Sequence, residues 1–198
     1  MKKFRFKHIK FRQINTNELS EKILLINLYI TQALVLLLGI VIIAFQRENE
    51  MIPLFYAPEN LSFLWYGGSL AAAVLLADFA IAKFVPEEVT YDGGINEMIF
   101  RNRPLWHIGL LTFVIAVCEE LLFRGAIQFQ FGPYWTSIVF AFIHFRYLRH
   151  WLMTGLVFSI SYGLGWIYEE TGTLWAPITA HFLIDFIMGC MIRYRRET

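Results

Sequence analysis

Three ionisable side chains stand within six residues of an otherwise apolar stretch, at Glu119, Glu120 and Arg124. In a helix, Glu120 and Arg124 share a face, so the carboxylate and the guanidinium can form an ion pair. Glu119 is turned by about 100° from Glu120 and faces a different partner. The spacing predicts one structural carboxylate and one available for acid–base chemistry. The alternative is a buried ion triad that serves packing alone.

Two histidines stand further along the chain, each with a partner four positions away. Phe140 and His144 place an aromatic ring beside an imidazole, whereas Asp185 can orient the imidazole of His181. Taken singly, His144 is typical of a membrane boundary and His181 of an interhelical hydrogen bond. Together with Glu119, on three helices, the two histidines predict a water-activating site or a site for a divalent metal such as zinc.

Several other functional classes are disfavoured by the sequence. The chain has no HExxH motif and no G-x-S-x-G elbow, so the common helical zinc proteases and the α/β serine hydrolases do not fit. It has 17 Lys and Arg against 16 Asp and Glu, a net charge of +1. Because no basic field results, nucleic acid is not an expected partner.

The composition explains which elements must position the candidate residues. The 198 residues are 57% hydrophobic and 17% charged, whereas soluble domains have about 25% charged residues. A helix needs about 20 apolar residues to cross a bilayer. We therefore predict an all-α, polytopic membrane helix bundle of about six transmembrane helices, with the catalytic core in the C-terminal four. The predicted spans are Ile23–Phe45, Leu61–Phe84, Leu105–Phe131, Pro133–Phe145, Trp151–Tyr168 and Leu174–Ile192.

The basic residues predict the orientation of this bundle. With a cytoplasmic N-terminus, 15 of the 17 Lys and Arg residues fall on the cytoplasmic side, Arg47 falls outside and Arg124 lies within a span. This asymmetry predicts a multi-pass protein of the cell membrane with both termini in the cytoplasm. The expected organisation is a basic arm (1–22), a two-helix region (23–103), a catalytic core (104–192) and a basic tail (193–198). The arm is a topology determinant or, alternatively, a segment that lies on anionic membrane lipids.

Three motifs in this order resemble the CPBP family, which comprises CAAX proteases, bacteriocin-processing enzymes and the related Abi proteins. They are Glu119-Glu120-Leu-Leu-Phe-Arg124 (EExxxR), Phe140-Ala-Phe-Ile-His144 (FxxxH) and His181-Phe-Leu-Ile-Asp185 (HxxxN/D). The resemblance covers about residues 104–192. It implies an intramembrane endopeptidase similar to the type II CAAX prenyl endopeptidases, which would cut a membrane-associated protein or peptide. The compact chain is typical of a bacterial member.

The resemblance also implies roles for individual residues. Glu119 and His144 would activate a water, and His181 and Asp185 would lie on the oxyanion side. The supporting residues would be Glu120, Arg124 and Phe140. Eukaryotic-like members carry Asn at the position of Asp185, and an ionised Asp cannot donate a hydrogen bond to an oxyanion. We therefore expect Asp185 to orient His181 and the imidazole to be the donor, unless Asp185 is protonated.

Three alternatives stay open at this point. Glu119, His144, His181 and Asp185 are also possible zinc ligands, and the family has been described both as metalloproteases and as glutamic proteases. A non-proteolytic immunity or scaffold protein could use the same bundle to bind a partner. A proton- or ion-coupled carrier could use Asp78, Glu119 and Asp185 as relay groups, although the inverted repeats of many carriers are absent.

Overall fold

The computed structural model describes residues 21–46, 54–56, 61–90 and 92–195, and this part of the chain folds into helices without a strand. Most of the predicted basic arm, Arg47 and residues 196–198 lie outside the described residues. The long helices are α1 (Glu21–Gln46), α2 (Ser62–Phe84), α5 (Leu105–Glu120), α6 (Gln128–Ile143), α7 (Trp151–Thr171) and α8 (Trp175–Tyr194). The short elements are α3 (Glu87–Thr90), α4 (Ile95–Phe100), a π-helical segment (Leu121–Ile127) and a 3₁₀ turn (Phe145–Tyr147).

The third and fourth predicted spans meet at a break inside α6. From α5 the chain continues through the π-helical segment into α6, and Gly132 then leaves helical geometry with φ 71° and ψ 172°. Glycine adopts this positive φ without strain, and Pro133 cannot donate the hydrogen bond that a continuous helix needs. The Gly132-Pro133 pair thus separates a long helix from the short one that ends at Ile143.

The surface and the interior of the bundle have the polarity expected of a membrane protein. Large apolar side chains point outward from α1, α2 and α6, among them Leu34, Leu76 and Phe142. The buried polar side chains are Gln32, Thr112, Glu120, Arg124, Gln128, Thr136, Ser137, Ser161, Thr173 and His181. Within the described residues, three helices are long and apolar enough to cross a membrane, namely α1, α2 and α8. α5 and α6 have 16 residues each and are shorter than a membrane span, whereas α7 has 21 residues and is long enough but less apolar.

Close contacts between helices fix the position of the bundle's interior. α2 packs along α8, α5 packs on α8, α6 packs on α7, and α1 crosses the π-helical segment. At Gly67 of α2, a Cβ atom would lie 2.8 Å from the carbonyl oxygen of Ala176. At Gly39 of α1, a Cβ atom would lie 3.2 Å from the backbone of Leu122. Small residues therefore let these backbones approach, as is common between membrane helices.

Candidate active site

A fully buried ion pair lies at the centre of the bundle. Glu120 ends α5, Arg124 lies in the π-helical segment, and both side chains are 0% exposed. The guanidinium donates from Nη1 to Glu120 Oε1 over 3.0 Å. From Nη2 it donates to the Ser161 carbonyl oxygen (2.8 Å) and to Ser161 Oγ (2.9 Å) on α7. Because the cation is surrounded by acceptors, its charge is compensated away from water.

His181 of α8 contacts the same carboxylate. Its Nδ1 lies 2.7 Å from Glu120 Oε1, so one carboxylate oxygen accepts from both Arg124 and His181. An ionised carboxylate only accepts hydrogen bonds, so the Nδ1 atom carries the proton that it shares with Glu120. The residue spacing predicts the pairing of Glu120 with Arg124 but not its contact with His181. The structure makes Glu120 the shortest polar contact of His181 as well.

The other ring nitrogen of His181 faces two further carboxylates. Nε2 lies 3.4 Å from Asp185 Oδ2 and 4.0 Å from Glu119 Oε2. The Glu119 side chain is 13% exposed and the Asp185 side chain 32% exposed. A gap of 4.0 Å is too long for a direct hydrogen bond but suits a bridging water. Glu119, His181 and Asp185 therefore converge on one small, partly open region.

Glu119 has a partner that lies far from it in the sequence. Gln32 of α1 donates from Nε2 to Glu119 Oε1 over 3.0 Å, and the Gln32 side chain is buried, with 3% exposed. Gln32 is not among the site residues predicted from the sequence. A polar amide in the middle of the most apolar span was the available signal, because such a group normally needs a partner in the bundle.

His144 lies at the end of α6, beside Phe140. The Phe140 ring centroid is 4.6 Å from that of His144 and 6.4 Å from that of His181. His144 Nδ1 lies 2.8 Å from the Phe140 carbonyl oxygen. No hydrogen bond or ion pair between His144 and Glu119 occurs in the described part of the chain. The structure thus brings the seven predicted site residues into one contact network around Phe140, which His144 joins through its contacts with Phe140.

The turn after His144 is fixed by a second polar cluster. The His144 ring stacks on Tyr147 with centroids 6.3 Å apart. Arg146 lies over the Tyr147 ring at 4.6 Å and donates from Nη2 to Asn96 Oδ1 over 3.3 Å. Burial raises the pKa of the Tyr147 phenol, so this hydroxyl stays protonated at neutral pH. The segment around α4 is therefore attached to the turn that carries His144.

The candidate site residues include side-chain types that bind metal ions. Across the described ranges, no group of three or more His, Cys, Asp or Glu side chains is arranged to hold one. Of the four possible ligands, Glu119, His181 and Asp185 approach one another at His181 Nε2, whereas the His144 ring contacts Phe140 and Tyr147. As placed, these side chains do not fit zinc. Asp78 of α2 is half-buried, and within the described residues no hydrogen bond or ion pair joins it to the cluster.

Comparisons with known proteins agree with the location of this cluster. A family model described as type II CAAX prenyl endopeptidase Rce1-like matches residues 101–187. The chain is also similar to a Bacillus subtilis (strain 168) protein named "Uncharacterized protein YpbD". The two are 47% identical over 136 residues, which cover 69% of this chain and 72% of that protein. No solved structure matches the chain.

Proposed function

The chain belongs to the CAAX protease (CPBP) family, and from this premise we propose that it is an intramembrane endopeptidase with Glu119 as its general base. The substrate would be a peptide bond in a membrane-associated protein or peptide. One observation carries the proposal. Glu119 Oε2 and His181 Nε2 lie 4.0 Å apart inside an apolar bundle, at a distance that a water can bridge.

Glu119 and His144 would activate this water. Glu119 would take a proton while the water oxygen attacks the carbonyl carbon, and would return it to the leaving amine nitrogen. His144 donates from Nδ1 to the Phe140 carbonyl, since a carbonyl only accepts. In the neutral ring, Nε2 is then the basic nitrogen and can accept a hydrogen bond from the water or hold its proton. General-base catalysis of this kind contributes about 10²–10⁴-fold to a rate.

His181 would stabilise the negative charge that develops on the carbonyl oxygen. In its protonated form it donates from Nδ1 to Glu120 and keeps Nε2–H for the oxyanion. An oxyanion donor of this kind contributes about 10²–10³-fold. Asp185, at 3.4 Å, would orient the ring.

The test is a cleavage assay with matched variants. Wild type, Glu119→Gln and His144→Ala would be purified in detergent and offered a library of membrane peptides. Glu170→Gln and His150→Ala are the controls, because they change the same residue types at other positions. We expect cleavage by wild type and both controls, and at least about a 100-fold loss in the two site variants.

Folding must be unchanged for this comparison to count, so each variant is also followed by circular dichroism and gel filtration. Cleavage by Glu119→Gln at the wild-type rate would refute the general base. A library that wild type does not cut, together with full biological activity of Glu119→Gln in cells, would favour the non-proteolytic immunity or scaffold function instead.

We further propose that the bundle lies in the cell membrane with both termini in the cytoplasm, in contact with membrane lipids. The support is the concentration of Lys and Arg in the segments on one side of the predicted spans. A reporter fused to the C-terminus would be active only if it is cytoplasmic. A fusion that is expressed but has no reporter activity would place the C-terminus outside the cytoplasm and would overturn this orientation.

A further inference from the structure

The packed face of α1 carries one polar side chain into the centre of the bundle. The buried residues of α1 are Gln32, Gly39 and Ile43, which lie on one face of the helix at spacings of seven and four. α1 lies outside the matched segment 101–187. The close approach at Gly39 fixes α1 against the π-helical segment, and this contact sets the depth of Gln32 beside Glu119.

The hydrogen bond from Gln32 distinguishes the two oxygens of Glu119. Oε1 accepts from Gln32 Nε2 at 3.0 Å, whereas Oε2 faces His181 Nε2. A carboxylate on a flexible side chain adopts several rotamers, and a donor on one oxygen restricts it to the rotamer that leaves the other oxygen free. The amide has no titrating proton of its own, so it fixes Glu119 without competing for the proton that the reaction moves.

The oxygen of the Gln32 amide is evidence against a role in packing alone. Oε1 is buried and has no hydrogen-bond partner among the described residues. An unpaired acceptor in an apolar environment is destabilising. A residue needed only to fill this space would be served better by an apolar side chain of similar length. The half-satisfied amide therefore indicates that the donor at Nε2 is what this position requires.

We propose that Gln32 is a positioning residue for hydrolysis, supplied by α1, that holds Glu119 with Oε2 directed at the reacting water. The inference rests on the proposed function, because it assigns Gln32 a role toward the general base. It also means that the matched segment 101–187 is incomplete as a site without α1.

The test of this role combines cleavage kinetics with a double-mutant cycle measured by thermal unfolding. Gln32→Met removes the donor and keeps the length of the side chain. Thr31→Ala is the matched control, since Thr31 is the exposed neighbour on α1. Rates are measured on the peptide that wild type cuts fastest and are divided by the amount of folded enzyme. In parallel, thermal unfolding is compared for wild type, Gln32→Met, Glu119→Met and the double variant, which requires no activity.

We expect Gln32→Met to lower kcat about 10–100-fold, the range for a hydrogen bond to a charged group, with KM within about threefold. Its Tm should fall by about 2–6 °C when Glu119 is present and should not fall when position 119 is already Met. Thr31→Ala should change neither quantity.

An unchanged kcat, a change in KM alone, or additive Tm effects would overturn the positioning role. The two hypotheses fail differently. If wild type cuts no peptide, the proposed function fails. In that case, non-additive Tm effects at positions 32 and 119 would show only a structural contact between the two side chains. This result would also overturn the role of Gln32 in hydrolysis. Cleavage by wild type without any thermal or kinetic effect of Gln32→Met would reject the inference about Gln32 alone.

Discussion

Replacing Arg124 with methionine removes the cation from a fully buried ion pair while keeping an unbranched, apolar side chain at this position. The guanidinium has 0% exposure and donates three hydrogen bonds, one to Glu120 and two to Ser161. The carboxylate left behind is also 0% exposed, so water cannot compensate its charge. Breaking a buried pair by removing one partner costs about 3–5 kcal/mol of unfolding free energy. We expect that loss for Arg124→Met.

A double variant separates the effect of leaving the Glu120 carboxylate unpaired from the effect of losing the Arg124 side chain. In Glu120→Met/Arg124→Met the unpaired buried carboxylate is absent, and the remaining defects are the oxygens of Ser161 without their donor and the Nδ1–H of His181 without its acceptor. Such an unpaired donor costs about 1–3 kcal/mol. The double variant should therefore be more stable than Arg124→Met alone. Its cleavage activity should still be lost, because Glu120 no longer orients His181.

The assay is equilibrium unfolding in mixed micelles with increasing sodium dodecyl sulfate, followed by tryptophan fluorescence, and peptide cleavage on the same preparations. Arg149→Met is the control, because Arg149 is exposed and its loss should change stability by less than about 0.5 kcal/mol. The reasoning is refuted if Arg124→Met unfolds within about 1 kcal/mol of wild type. It is also refuted if the double variant is no more stable than the single one.

Four further substitutions test the packing and the site. Gly67→Ala should lower stability by about 1–3 kcal/mol, since its Cβ would lie 2.8 Å from a backbone oxygen of α8. Gly68→Ala, with nothing within 4 Å, should be neutral or stabilising by the same unfolding assay. Gly165→Ala should displace the Gln128 amide, which would be 2.7 Å from the new Cβ, and lower the Tm. Asp185→Asn should keep cleavage within about tenfold of wild type, because an amide can both orient the imidazole and donate to an oxyanion; complete loss would contradict this assignment.

The sequence predicted the features of the fold that depend on neighbours along the chain. Long apolar blocks predicted an all-α membrane bundle, and Gly132-Pro133 marked the break between two helices, where the structure has it. The pairs Glu120–Arg124 and His181–Asp185 followed from their spacing of four residues, since the helical repeat places such residues on one face. These relations need no knowledge of how the helices are arranged.

Residue spacing did not predict the π-helical segment. A search at 3.6 residues per turn assumes a regular α-helix through Arg124, whereas residues 121–127 form wider turns. Such segments are rare and have no strong composition signal, although they are frequent at functional sites. The local winding around Arg124 was therefore decided by the packing of the bundle.

The contacts that define the site as a unit come from tertiary structure alone. Glu120 meets His181 across 61 positions, and Gln32 meets Glu119 across 87 positions. Each contact depends on the depth and rotation of one helix against another, which are set by close approaches such as the one at Gly39. The sequence by itself predicted the candidate residues of the site and determined which pairs share a helix face. Only the folded bundle decided that His181 is held by Glu120 and that α1 contributes to the site, because interhelical register is a property of packed surfaces and not of residue spacing.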